Sequence, residues 1–296
     1  MAEVLLELSK CRFPAIGALV ESESGEGWHI GSRPITFNMN EIVARGNFPP
    51  KLLASQGTFG TANEYFSSLA DDHLRHLETQ RNGAVIDESD CRKKYIARCL
   101  FRKIAGQFST TFNHEPFMLL CEDLRPANLL VDQDFNVAGV VDWEFSYSAP
   151  AEFFHCTPWW LLLGRPETWE AGFDDFLAHY IPRQQVFLDI LQNCEEELFK
   201  NGAALDSPRL SEHMAQSLKN GQFWFFLAAT YGWTFDDVYW KFLHPKYYET
   251  ESLHELELLL SPEEQQNIGT FVVEKMNTSN DGKFILHEPI EAMMKW

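Results

Sequence analysis

The spacing of apolar positions changes several times along this chain, and each change predicts a different kind of element. At the start Val4, Leu5 and Leu8, then Phe13 and Ile16, recur at helix-like intervals until Pro14 and Gly17 break the pattern, which predicts a short helix and a turn. Two apolar runs, Ala18-Leu19-Val20 and Trp28-His29-Ile30, flank a charged, glycine-rich segment at 23–27 and predict a β-hairpin between Ala18 and Ile35. Residues 36–61 carry clustered prolines and glycines without a period and read as a loop. Helical periodicity returns over Asn63 to Gln80 and again over Cys91 to Phe108, on either side of the polar break Asn82-Gly83.

Between Pro116 and Trp143 the pattern shortens into strands. Phe117 to Leu120, Leu129 to Val131 and Val137 to Val141 are apolar runs of strand length, and the segment 132–136 joins the last two as a hairpin. Beyond Pro150 the chain reads as helical to its end. Ser207-Pro208 and Ser261-Pro262 each pair a Ser N-cap with Pro at the first helical position, and Glu264 completes a capping box at the second. The aromatic stretch Phe223 to Trp233 predicts a buried helix or a core aromatic cluster. No internal repeat, low-complexity tract or Gly/Ser/Pro-rich linker divides the sequence, which predicts one domain over residues 1–296.

Composition narrows the class. With 45% apolar and 14% aromatic residues among 296, the chain can bury a sizeable core. Its 43 acidic and 24 basic residues give a net charge of -19, which repels phosphate backbones and anionic lipid, so neither nucleic acid nor a membrane surface is an expected partner. The six cysteines, Cys11, Cys91, Cys99, Cys121, Cys156 and Cys194, stand singly, without a metal-binding or redox pair, and predict a reducing, cytoplasmic setting. The N-terminus lacks the basic and apolar regions of a signal peptide, and no segment approaches the ~20 apolar residues of a membrane span.

The chemistry concentrates in Cys121-Glu122-Asp123-Leu124-Arg125-Pro126-Ala127-Asn128-Leu129, followed by Val140-Val141-Asp142-Trp143-Glu144. Asp123 and Asn128 stand in the D-x-x-x-x-N spacing of a kinase catalytic loop, and Asp142 closes the next hairpin, where kinases place a metal-binding Asp. Phosphoryl transfer needs one carboxylate to accept the proton of the attacking hydroxyl and hard oxygens to hold magnesium against the nucleotide phosphates. A loop with Asp at its start and Asn at its end, feeding a strand pair that returns with another Asp, is expected to bring the three to one rim. Glu122, beside the candidate base, is expected to face solvent.

In these residues the chain resembles the aminoglycoside phosphotransferase and choline kinase-like family of the protein-kinase-like fold, most closely its fungal members. The resemblance covers nearly the whole chain. It includes Phe13-Pro14-Ala15-Ile16-Gly17-Ala18-Leu19, Asp123 to Asn128, Asp142-Trp143-Glu144-Phe145, Ala149-Pro150-Ala151-Glu152-Phe153, Pro158-Trp159-Trp160-Leu161-Leu162-Leu163 and Phe223-Trp224-Phe225. What it implies is ATP- and magnesium-dependent transfer of a phosphoryl group to a small-molecule hydroxyl, with Asp123 as catalytic base and Asn128 and Asp142 as metal ligands. The family's commonest loop has His two residues before the catalytic Asp, where this chain has Cys121.

A kinase-like enzyme also needs an N-terminal lobe, with a phosphate-covering hairpin and a strand lysine. The segment Gly25 to Gly31 fails the G-x-G-x-x-G spacing because Ile30 takes the sixth place, and Lys51 follows Pro49-Pro50 and does not suit a strand interior. The expected fold is therefore α+β and mainly α-helical: the C-terminal lobe of a protein-kinase-like fold without its nucleotide-binding N-terminal lobe. The catalytic loop and metal segment would lie at 117–145 and a helical subdomain at 150–296. Two functional readings follow. One is a phosphotransferase-like protein, inactive or incomplete without an N-terminal lobe and binding ATP weakly by itself; the other is a non-catalytic, pseudokinase-like binding or regulatory protein. The acidic balance suits a cationic acceptor such as an amino sugar or amino alcohol.

Other features read as structural. The ten histidines show no ligand spacing, Tyr147-Ser148 reads as a solvated loop pair, and Trp159-Trp160 reads as helix packing before substrate cleft. Arg92, Lys93, Lys94, Arg98, Arg102 and Lys103 read as a solvated face balanced by nearby acids.

Overall fold

Capping and periodicity decide where the long helices begin. Thr61 accepts from the Glu64 N–H at 3.2 Å while the Glu64 carboxylate accepts from the Thr61 N–H at 3.0 Å, and Asp87 caps the next helix through the Asp90 N–H at 2.8 Å. In this computed structural model residues 1–280 are described, apart from 23, 24, 26, 45–47, 54, 56, 82, 135, 205 and 207. Part of the expected turn at 23–27, the break at Asn82, Phe135 of the turn at 132–136, Ser207 and the helix expected over 281–296 therefore lie outside the described residues, while the helix expected to start at Pro208 starts at Leu210.

The helices are α1 (Ala2–Leu8), α2 (Phe37–Ala44), α3 (Ala62–Thr79), α4 (Glu88–Ala105), α5 (Ala151–Phe154), α6 (Gly172–Lys200), α7 (Leu210–Gln216), α8 (Gln222–Thr230), α9 (Phe235–Val238), α10 (His244–Tyr247), α11 (Leu253–Leu258) and α12 (Pro262–Asn280). The strands are β1 (Arg12–Phe13), β2 (Gly17–Glu21), β3 (Trp28–Ser32), β4 (Phe117–Cys121), β5 (Leu129–Val131), β6 (Val137–Val140) and β7 (Ser146–Ala149). The fold is mixed α+β, 56% helical and 11% strand, with a curled antiparallel sheet.

The chain forms two compact units interleaved along the sequence. The first comprises Met1–Ile35, Thr58–Gly60 and His114–Phe226, and the second Thr36–Gly57, Thr61–Asn113 and Leu227–Trp296.

The first unit is built on a five-stranded antiparallel sheet of order β1-β4-β7-β2-β3. The expected hairpin is present as β2 and β3, closed by Ser22 N–H to Gly27 O at 3.0 Å with Gly27 at φ 101. Gly17 starts β2 because a Cβ there would collide with the carbonyl oxygen of Ser32. The N-terminal helix stops at Leu8, so Phe13 and Ile16 are not helical: Phe13 pairs with Phe117 in the sheet, and Ile16 bridges Phe59. The central strand, β7, has no apolar signature. Its Tyr147 and Ser148 are fully buried, and Ser148 Oγ donates to Ala15 O at 2.7 Å, so the pair expected in a solvated loop is sheet core. Helix α6 covers this unit with Phe176, Tyr180, Phe187 and Leu191 at helical spacing, while Pro182 falls on its exposed side. Buried Glu195 of α6 accepts from the N–H of Ser211 at 2.9 Å and from its Oγ, holding the first turn of α7.

In the second unit α3 and α4 pack as a pair, as the periodicity predicts. Residues 37–44, expected as loop, are α2, whose Ile42 packs with Phe48 and Leu53. Arg98 of α4 is buried, bonded to both oxygens of Asp236 at 2.9 and 3.2 Å and seated over the Phe235 ring, so it does not belong to a solvated face. Arg102 bridges Asp71 at 3.1 Å and Glu264 at 2.7 Å, and the Ser261 cap on α12 is present, with Glu264 N–H to Ser261 Oγ at 3.3 Å.

Candidate active site

The candidate loop hangs between β4 of the sheet and the separate two-stranded pair β5–β6. Its path is set by short-range bonds. Leu124 N–H reaches Cys121 O at 3.2 Å, Pro126–Asn128 form one 3-10 turn with Pro at its start, and Val141 N–H returns to Asn128 O at 2.9 Å. This last bond ties the end of the β5–β6 hairpin to the end of the loop, so Asp142 follows directly on a residue bonded to Asn128.

Asn128 is buried and spends its amide nitrogen on Asp123, donating to the Asp123 carbonyl at 2.8 Å and to Oδ2 at 3.0 Å. Arg125 Nε donates to the other carboxylate oxygen, Oδ1, at 3.0 Å. The spacing of Asp123 and Asn128 thus corresponds to a direct contact. Arg125 has no signal in the sequence: its contact with Asp123 follows from the turn that Leu124 N–H closes on Cys121 O and from the extended backbone of Arg125 ahead of the 3-10 turn. A carboxylate offers about four lone-pair directions, so the two bonds orient Asp123 and leave acceptor capacity for a hydroxyl.

Asp142 sits in the left-handed region at φ 62, which costs a non-glycine residue about 1–2 kcal/mol and which Asp tolerates better than most. Cys121 Sγ lies 3.7 Å from the Asp142 carbonyl oxygen, and Trp143 Nε1 donates to Val140 O at 3.0 Å, so both neighbours of the strained residue are fixed. Its carboxylate is exposed and has no partner among the described residues. Burial pushes the Cys121 thiol up, so it is a neutral spacer in the loop.

Magnesium takes six oxygens. Asp142 offers a carboxylate, and Asn128 keeps its amide oxygen because its nitrogen is committed to Asp123. Among the described residues no group of three or more His, Cys, Asp or Glu is arranged to hold a metal. Asn128 and Asp142 could offer two of those oxygens, and phosphate and water would have to supply the rest.

Glu122 does not face solvent. It is 3% exposed, its N–H bonds Phe145 O at 3.1 Å, and one carboxylate oxygen accepts from Tyr147 OH at 3.0 Å. A buried carboxylate is tolerated only with such partners. Behind the loop, Cys121, Glu122 and Leu124 share an apolar cavity of about 50 Å³ with Phe153, Trp159 and Trp160. The two tryptophans, on a 3-10 turn at Trp159–Leu162, are both buried against it.

Lys51 lies on a 3-10 turn, Pro50–Leu52, outside any strand. No helix among the described residues is long and apolar enough to cross a membrane. No protein-family model, curated protein or solved structure matches the chain.

Proposed function

We propose that Asp123, Asn128 and Asp142 form the acceptor and metal side of a phosphotransferase that moves a phosphoryl group from ATP to the hydroxyl of a small molecule. The reading takes the chain as a kinase-like C-terminal lobe, as the family resemblance implies. One observation carries it: the Asn128 amide grips Asp123 while the Asn128 carbonyl receives the residue preceding Asp142, so one short loop aims a carboxylate and steadies a second, unpartnered one.

In this reading Asp123 orients the acceptor hydroxyl and takes its proton as the bond to phosphorus forms. Arg125 and Asn128 hold the carboxylate in place, which is where a loose transition state gains most from the protein. Magnesium, when bound with ATP, neutralises charge on the phosphates. The Asp142 carboxylate and the Asn128 amide oxygen would hold it, and the left-handed turn keeps Asp142 at the end of its hairpin. A net charge of -19 favours a cationic acceptor, an amino sugar or amino alcohol.

A second reading, a non-catalytic binding or regulatory protein, is favoured by the fact that both oxygens of Asp123 are already bonded within the loop. The two readings part on turnover. The full chain is incubated with millimolar Mg·ATP and a panel of amino sugars and amino alcohols, and acceptors gaining a phosphoryl group are identified by mass spectrometry. Slow phosphorylation of an acceptor, as weak ATP binding by the chain alone requires, and its absence with Asp123→Asn are the expected result. No product above the Asp123→Asn blank with any acceptor overturns the proposal in favour of the second reading.

A further inference from the structure

The second unit contains its own open cavity, of about 500 Å³, within the roughly 300–1,000 Å³ range of small-molecule sites. One face of α12, with Asn267, Thr270, Phe271, Glu274, Lys275 and Thr278, lines it together with Glu78 from the last turn of α3 and Tyr95 from α4. Lys275 is only 4% exposed, yet it lines this space. Its Nζ donates to the carbonyl oxygens of Glu78, at 3.1 Å, and Gln80. These are acceptors that the C-terminal end of α3 leaves without helical partners.

Those two bonds are compatible with a neutral amine. An ammonium has three N–H donors, and a neutral amine has two with one lone pair. Loss of the third proton therefore keeps both bonds to α3 and frees a nucleophilic pair. The surroundings favour that loss. Burial lowers the Lys275 pKa to about 8, with Arg98 and Arg81 also lowering it, against the raising effects of Cys91 and Glu78. Glu274 lies on its own helix and lines the same cavity. Burial also keeps the Tyr95 phenol protonated, so a proton donor lines the space that holds the amine.

We propose that Lys275 is the nucleophilic amine of a binding site for small hydroxylated aldehydes or ketones, with Tyr95 as proton donor. The amine adds to the carbonyl carbon, its proton passes to the carbonyl oxygen, and the resulting carbinolamine loses that oxygen as water when Tyr95 protonates it. The product is a protonated imine. The amide and hydroxyls of Asn267, Thr270 and Thr278 suit a hydroxylated chain, and Glu78 and Glu274 disfavour an acidic one. This site is independent of the loop at Asp123.

The test uses the folded full chain with glyceraldehyde as the probe and cyanoborohydride to trap imines, followed by peptide mapping. At pH 7.5 Lys275 is expected to be labelled at least ~10-fold faster than exposed Lys51, Lys200 and Lys219, because a far larger fraction of it is unprotonated. Its rate should rise with a midpoint near pH 8, and Lys275→Arg, which keeps donors for the α3 carbonyls, should lose the fast adduct. Labelling of Lys275 no faster than the three exposed lysines, a midpoint in the ordinary lysine range, or a fast adduct persisting in Lys275→Arg would each overturn the proposal.

Discussion

Asn128 gives two side-chain bonds to one residue, reaching the carbonyl oxygen of Asp123 at 2.8 Å and its carboxylate at 3.0 Å. Backbone and side chain of the candidate base are thereby fixed by a single buried amide. Asn128→Ala should leave the Asp123 carbonyl short of a donor and lower stability by about 2–4 kcal/mol, two lost buried bonds at 1–2 kcal/mol each. Asn128→Asp should cost more, because it sets a second carboxylate against the first. Urea unfolding of the three proteins checks the order, and an Asn128→Asp variant as stable as Asn128→Ala would contradict it.

Tyr147 and Glu122 make a second buried contact behind the same loop. Tyr147→Phe preserves the packing of β7 and removes a donor to a carboxylate, so it should destabilise by roughly 1.5–3 kcal/mol, the range for bonds to charged groups. A shift in unfolding midpoint below ~0.5 kcal/mol would show that Glu122 does not depend on this hydroxyl.

These two pairs show what a sequence can and cannot reveal. Helices α3 and α4 are legible because their apolar period is regular, although the Thr61 and Asp87 caps start them at Ala62 and Glu88, ahead of the expected Asn63 and Cys91. Strands β4 to β6 are legible as short branched runs. Strand β7, with the residues Ser146-Tyr147-Ser148-Ala149, is hidden because a central strand can bury polar letters when each finds a partner across the sheet, as Ser148 finds Ala15 and Tyr147 finds Glu122. For the same reason Glu122 reads as a surface residue until its partner is known. Helix α2 is hidden by neighbouring prolines and by a weak apolar stripe, whose Ile42 packs on Phe48 and Leu53. In the candidate site the spacing of Asp123, Asn128 and Asp142 is visible, whereas Arg125 and Lys275 are not, since each depends on a bend or on a helix distant in the chain.

Acid should destabilise the fold through its buried histidines. Burial lowers His73 and His155 to about 3 and His76 to about 4, with Arg98 also lowering the pair on α3 and His213 and Arg12 acting on His155. Between those values and the ordinary 6.5 the unfolded chain holds more protons than the folded one, so stability rises with pH. It is fully present above about pH 6.5 and is lost as pH falls towards 4 for His76 and towards 3 for His73 and His155, each histidine withdrawing on the order of 2 kcal/mol by pH 5. Denaturant midpoints at pH 7 and pH 5 measure this. Equal midpoints would contradict the burial of these rings in neutral form.

The exposed carboxylate of Asp142 should govern cation binding. Mg·ATP should raise the melting temperature of the chain slightly, and Asp142→Asn, which keeps the left-handed turn accessible, should abolish that rise without changing the melting temperature in its absence. A rise that survives in Asp142→Asn would move the cation elsewhere.

The role of Asp123 as proton acceptor is tested most directly by steady-state phosphoryl transfer to the best acceptor, comparing the native chain with Asp123→Asn. The substitution keeps the size of the side chain and one oxygen, enough for the bond from Arg125 or the one from Asn128 but not both, and removes the base. The predicted result is a kcat lowered ~10²-fold or more with KM for the acceptor nearly unchanged. An unchanged kcat, or a rise in KM alone, would contradict that role and leave Asp123 as a binding group.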